Sequence, residues 1–275
     1  MKRKIYFALS IIFTTLFAIL FHKFLPSDAN SSNANSILVQ NFGFPVVAIF
    51  YFLILFCLCS FSIYQLGTKS QLSKRDIFLR FGIGYGTLYF IGMFEIVPGI
   101  AWNVSVGINQ IAVGIGDAIP AIVISFLISR LIPHESRISR SFFNKEIISL
   151  IVYVAITNFV LRMIGYSTGI IYSAINDYCI PVIIWTILFS ITLGIVIAIL
   201  YPFFHDDSKF MVSRVLISFG LNWFWFNSFM ALIMKGLMGT IIIRVTVDLL
   251  GIICSILIYR RYSNMKINKK SIKSL

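Results

Sequence analysis

Residues 113–131, VGIGDAIPAIVISFLISRL, decide how the rest of the chain is read. A helix crosses a bilayer core with about 20 apolar residues at about 1.5 Å of rise each, and this segment continues the apolar run that begins at Ile111. Within it stand a carboxylate, Asp117, and a proline, Pro120. A charge at membrane depth costs on the order of 3 kcal/mol on insertion scales, so it is expected to have a partner or a task. Pro120 cannot donate to the carbonyl of Gly116, which leaves an acceptor beside the carboxylate and predicts a kink there.

Further apolar runs lie on both sides, at Ile5 to Leu25, Pro45 to Leu66, Ile77 to Val97, Ile147 to Met163, Cys179 to Tyr201, Val212 to Ile233 and Thr240 to Tyr259. With Ile111 to Leu131 they make eight expected spans, so the chain reads as an all-α, polytopic membrane helix bundle. Its composition agrees: 59% hydrophobic, 12% charged, mean hydropathy +0.92, far from a soluble domain. One integral membrane domain is expected over 1–262, with a basic tail over 263–275. The first span follows Met1-Lys-Arg-Lys but is long for a signal core and lacks a small-x-small cleavage site in SDANSSNANS, so it reads as an uncleaved helix. The same polar run reads as a flexible outer loop.

The net charge of +13 does not point to nucleic acid. Of 23 basic residues, 19 fall in segments on one side, and only Lys23, Arg162, Lys235 and Arg244 fall on the other. This is the positive-inside pattern, with both termini cytoplasmic in a plasma membrane. The tail RRYSNMKINKKSIKSL suits anionic lipid headgroups, or simply anchors the topology. Cys57, Cys59, Cys179 and Cys254 all lie in or beside apolar spans and read as packing residues.

Two halves, 1–134 and 141–262, have matching features. NFGFPVV from Asn41 and DYCIPVI from Asp177 enter spans 2 and 6 at an offset of 136 residues. Phe81-Gly82 and Phe219-Gly220 recur at 138, and Asp117 with Arg130 matches Asp248 with Arg261 at 131. A four-helix unit returns the chain to its starting side, so a duplication predicts two halves of the same orientation, related by an axis along the membrane normal. Gly251 then follows Asp248 by three residues, as Pro120 follows Asp117. Helix-weakening residues beside carboxylates in both halves are the pattern of a secondary transporter's binding site.

No His-Glu-x-x-His motif, phosphate loop, nucleophile elbow or Cys/His metal spacing is present. This disfavours an ATPase, a zinc protease and a serine hydrolase, and no metal or cofactor is expected. The candidate substrate- or ion-binding residues are Asp117, Asp248, Arg244, Glu95, Asp177 and Asn222, with Pro120 and Gly251 as kink positions. Asp117 and Asp248 are the expected coupling carboxylates, roughly 20 and 18 Å above the arginines at the cytoplasmic boundary. Arg244 lies one turn before Asp248 and can share its face. Glu95, Asp177 and Asn222 would line an entrance, although Asp177 also suits a helix cap and the amides of Asn158 and Asn222 also suit helix-to-helix bonding. Without transport, the same charges would serve as structural pairs, Arg244 with Asp248 and Asp117 with Arg162. Lys235 and Arg162 are expected to snorkel to the interface, and the aromatic cluster from Asn222 to face lipid or pack.

Gly114 to Pro120 also resembles a fragment of the motif of a polyprenyl-phosphate transporter family. Here Ala121-Ile-Val-Ile follows the proline instead of that family's Gly/Ser-rich run, so no residue is carried across. The functions expected are a secondary transporter or flippase of a small or lipid-linked solute, a membrane-embedded enzyme using Glu95 and Asp117 on a lipid-linked substrate, or a noncatalytic subunit or immunity protein.

Overall fold

A computed structural model describes residues 2–25, 35–95, 103–133, 145–204 and 210–273, and the side chains of all of these except 145, 146 and 263–273. The described residues are helical throughout their regular structure, and eight helical segments are long and apolar enough to cross a membrane. These are α1 (Lys2–Lys23), α3 (Phe44–Lys69), α4 (Lys74–Gly92, extended by a tight turn to Glu95), α5 (Val104–Leu131), α6 (Lys145–Ser167), α7 (Cys179–Leu200), a composite seventh segment and α10 (Met238–Lys273). A short helix α2 (Ile37–Phe42) precedes α3.

The seventh segment runs from α8 (Met211–Val215) through a π-helical turn (Leu216–Gly220) into α9 (Leu221–Ile233). A π turn takes in an extra residue and releases main-chain carbonyls from the regular ladder. Membrane-buried carbonyls must find donors elsewhere. The Ser62 hydroxyl on α3 donates to Ile217 O at 2.6 Å and the Tyr85 hydroxyl on α4 to Ser218 O at 2.6 Å.

Helix starts follow local chemistry. Ser73 caps α4 by accepting from Asp76 N, and the Asn103 carboxamide oxygen caps α5 by accepting from Ser105 N and Val106 N. Gly43, at φ +78°, turns the chain between α2 and α3, a conformation that favours glycine. The end of the expected loop is tied down rather than free. Ser36 caps α2, its N–H donates to Ile233 O at 2.9 Å, and Asn35 pairs with Met234. Residues 26–34, the greater part of that loop, lie outside the described residues.

Helix α5 packs on α1, α3 and α4, and α6 packs on α7 and α10, with α9 against α10. The two groups meet where α4 lies along α7 and α3 along α9. One apolar core joins them, rich in stacked rings such as Tyr89 on Phe226 at 4.5 Å and Phe81 on Phe203 at 4.6 Å. An even number of spans leaves both ends of the chain at one face, the terminal end, and Glu95 at the opposite, far end. Pro120 is accommodated within a continuous α5, and α10 runs unbroken through Gly251. Beyond residue 262 the basic tail continues the α10 helix to Lys273.

Candidate functional site

Asp117 and Asp248 are both buried, and each has a basic partner from a different helix. Asp117, midway along α5, meets His22 in the last turn of α1, with Nε2 3.1 Å from Oδ1. With the carboxylate ionised, which can only accept, the donor in this contact is Nε2–H; with it protonated, Nε2 accepts. Gly116 makes the approach possible: a Cβ there would lie 2.5 Å from Leu25 Cδ1 and 3.1 Å from His22 Nε2. Gly114 does the same for α4, since its Cβ would lie 3.0 Å from the carbonyl oxygen of Phe90. The His22 ring also sits 5.3 Å from that of Phe52 on α3. The pair retains access to its surroundings, with side-chain exposures of 24% for His22 and 7% for Asp117.

Asp248, on α10, is enclosed by contrast. Arg162 on α6 grips it from two sides, Nε to Oδ1 and Nη2 to Oδ2, both at 2.8 Å. This is the bidentate fork for which guanidinium is shaped. Asn158 Nδ2 and Trp223 Nε1 each donate to the same carboxylate at 2.9 Å. Both side chains of the ion pair have zero exposure. Asn158, Arg162 and Tyr166 follow one another at i, i+4 along α6 and so share a face. Asn158 Oδ1 accepts from Ser190 on α7, and the guanidinium carbon lies 4.1 Å above the Phe189 ring.

The cluster extends to the far end of the bundle. Arg162 Nη1 donates to Glu95 Oε1 at 2.8 Å and to the Tyr166 hydroxyl at 3.3 Å. Glu95 Oε2 in turn faces Arg244 Nη1 at 3.1 Å. Two carboxylates thus balance two guanidiniums. Glu95, at the end of α4, bonds across to α6 and α10, so the chain of ion pairs bridges the two groups of helices.

Several expectations need correction. Arg244 pairs with Glu95, and Asp248 is held by Arg162 instead. Asp117 pairs with His22, not with Arg162. Arg162 does not snorkel; it is the fully buried hub. Asn222 lines no entrance. It has zero exposure, and its amide donates to Ser62 at 2.9 Å and Tyr85 at 3.1 Å while its carbonyl accepts from Cys59 Sγ at 3.2 Å. It thereby fastens α9 to α3 and α4 beside the π turn. Asp177 is exposed before α7, whose N-cap residue is Tyr178 with no side-chain cap bond. Gly251 is a contact position, where a Cβ would lie 3.5 Å from the α carbon of Asn158.

Sequence reading passed over His22, Trp223 and the central role of Arg162. The signals were present: glycine directly before Asp117, and the Asn158, Arg162, Tyr166 ladder at helical spacing. Among the described residues, no group of three or more His, Cys, Asp or Glu is placed to hold a metal. No protein-family model, curated protein or solved structure matches the chain.

Proposed function

We propose that this chain is a secondary transporter or flippase of a small or lipid-linked solute, with Asp117 and His22 as its proton- or cation-handling pair. The observation that carries the reading is the contrast in access: a partly exposed imidazole–carboxylate pair at membrane depth, against a carboxylate of zero exposure that accepts four hydrogen bonds. An imidazole beside a carboxylate is chemistry with which proteins hold and pass a proton. Asp248 is therefore reassigned from coupling to anchoring, and Glu95, Arg162 and Arg244 act as an ionic lock at the far end.

Helix packing supports an internal duplication of same-orientation halves. In each group the first span packs on the second and the fourth, and the third on the fourth; across the interface the third span of one half lies on the second of the other. Each fourth span also carries a buried aspartate held by a base from the first span of its half. Contact of α3 with α5 is the feature without a counterpart among the main packing pairs. The one-sided distribution of basic residues puts the far end outside the cell and both termini in the cytoplasm of a plasma membrane.

A noncatalytic subunit or immunity protein is the second reading, supported by the saturation of the Arg162 cluster. The enzyme reading has no such support, since Glu95 and Asp117 belong to separate ion-pair clusters. Proteoliposomes carrying a pH-sensitive dye and fluorescent lipids test the choice. Wild-type protein is expected to move protons with a solute from a panel of sugars, amino acids and nucleosides, or to exchange labelled lipid between leaflets, with Asp117→Asn and His22→Gln at least about tenfold slower. Equal rates for wild type and both variants remove the coupling assignment, and inert wild-type protein favours the subunit reading.

A further inference from the structure

The terminal end of the bundle carries a groove that the His22–Asp117 pair and the Arg162 cluster do not use. It has a volume of about 660 Å³ and is lined by Arg3 and Tyr6 of α1, Lys74 of α4, and Arg130, Leu131, Ile132 and Pro133 at the end of α5. That size lies within the range of small-ligand sites, roughly 300–1,000 Å³. Three cations from three helices line it, and no carboxylate is among its described lining residues. Like charges brought together in this way repel unless an anion sits between them.

The position of the charges is built. Lys74 Nζ donates to the carbonyl oxygen of Arg130 at 3.4 Å, joining the start of α4 to the end of α5. The Arg130 guanidinium lies over the Phe126 ring one turn back along α5, 4.6 Å from its centre, which holds the charge at the groove's rim on the α5 side. Tyr6 brings a phenol whose ring suits the acyl boundary and whose hydroxyl suits the headgroup layer. Leu131 and Pro133 add apolar surface to the lining, while Ile132 is almost wholly buried. A cationic mouth, an apolar flank and a location at the ends of spans are the requirements of a phospholipid, rather than of a soluble ion.

We propose that this groove binds the phosphodiester headgroup of an anionic phospholipid of the cytoplasmic leaflet, with Arg3, Lys74 and Arg130 on the phosphate and Tyr6 at the glycerol level. The site is separate from the basic tail and is independent of the transport reading; it requires only that the terminal end face the cytoplasm.

The test uses the full chain in mild detergent, titrated with phosphatidylglycerol or phosphatidylcholine, with bound lipid read by native mass spectrometry. Wild-type protein is expected to prefer phosphatidylglycerol. The triple variant Arg3→Gln/Lys74→Gln/Arg130→Gln loses that preference, by about fivefold per charge removed. A charge-matched variant on the same face, Lys69→Gln/Arg75→Gln/Arg261→Gln, is expected to keep it within about twofold. Should the triple variant fail to fold, Lys74→Gln alone is expected to weaken binding about fivefold. Equal phosphatidylglycerol binding by wild type and either groove variant overturns the site, as does equal loss in the charge-matched variant. Displacement of the lipid by excess inorganic phosphate would make the groove a soluble-anion site and overturn the lipid assignment.

Discussion

The two groups of helices treat their buried aspartates differently. Among the described residues Asp117 has one side-chain partner, an imidazole at 3.1 Å, in a place kept open by glycine. Asp248 has an arginine fork, an indole and an amide around it, all within 2.9 Å and with no exposure. A carboxylate with every acceptor site committed is a fixture of the fold, since moving it breaks several bonds at once in a buried network. A carboxylate with a single, partly exposed partner keeps the capacity to change. Positions that correspond under the proposed duplication therefore need not share a role, and the less decorated residue is the better functional candidate.

The largest effect is expected where the enclosed cluster loses its hub. Arg162→Met leaves Asp248 charged and unpaired, at a cost of about 3–5 kcal/mol, read as a fall in unfolding midpoint in detergent. The double variant Arg162→Met/Asp248→Leu is expected to recover most of that loss, because replacing both partners removes the stranded charge. No recovery would mean that the cluster does more than anchor helices. Next comes Asn222→Leu, which removes the amide that joins Ser62, Tyr85 and Cys59 beside the π turn and is expected to cost about 1–3 kcal/mol.

Gly116→Ala tests the open side of the comparison. Its Cβ needs the space of the Leu25 side-chain tip and the edge of the His22 ring, so these side chains must move aside, for about 1 kcal/mol. The unfolding midpoint in detergent is expected to fall slightly, and proton movement to slow as the His22–Asp117 contact lengthens. The smallest stability effect belongs to His22→Gln, within about 1 kcal/mol for a partly exposed pair, although this variant is expected to lose function. A His22→Gln as destabilising as Arg162→Met would erase the distinction between the two groups.

Much of the fold was legible because span length depends on apolar run length alone. All eight expected segments coincide with helices to within a few residues at most ends. The largest differences are the start of α5, at Val104 rather than Ile111, and the end of α10, at Lys273 rather than Tyr259; a smaller one was more informative. Reading the fifth span as ending at Met163 made Arg162 look terminal, whereas α6 continues to Ser167 and buries Arg162 a turn inside. Both aspartates and Glu95 were found as buried or half-buried charges, but their partners were not. Spacing along one helix says which residues share a face, as for Arg244 and Asp248, and says nothing of what another helix brings to that face. Asn158 and Asn222 were open to either reading, and their saturated bonding fits the helix-joining one. The basic groove was invisible for the same reason, since its three cations stand far apart in sequence.

The π turn at Leu216–Gly220 has a consequence for how this chain can change. A regular helix that gains or loses one residue turns everything downstream by about 100°, whereas a π turn absorbs one residue and leaves the flanking faces in place. Removing a residue there would close the turn to an α turn, keep Trp223 and Asn222 near their present faces, and return to the helix the carbonyls that Ser62 and Tyr85 now serve. This is the one place in the span where length can change at little cost to what lies beyond it.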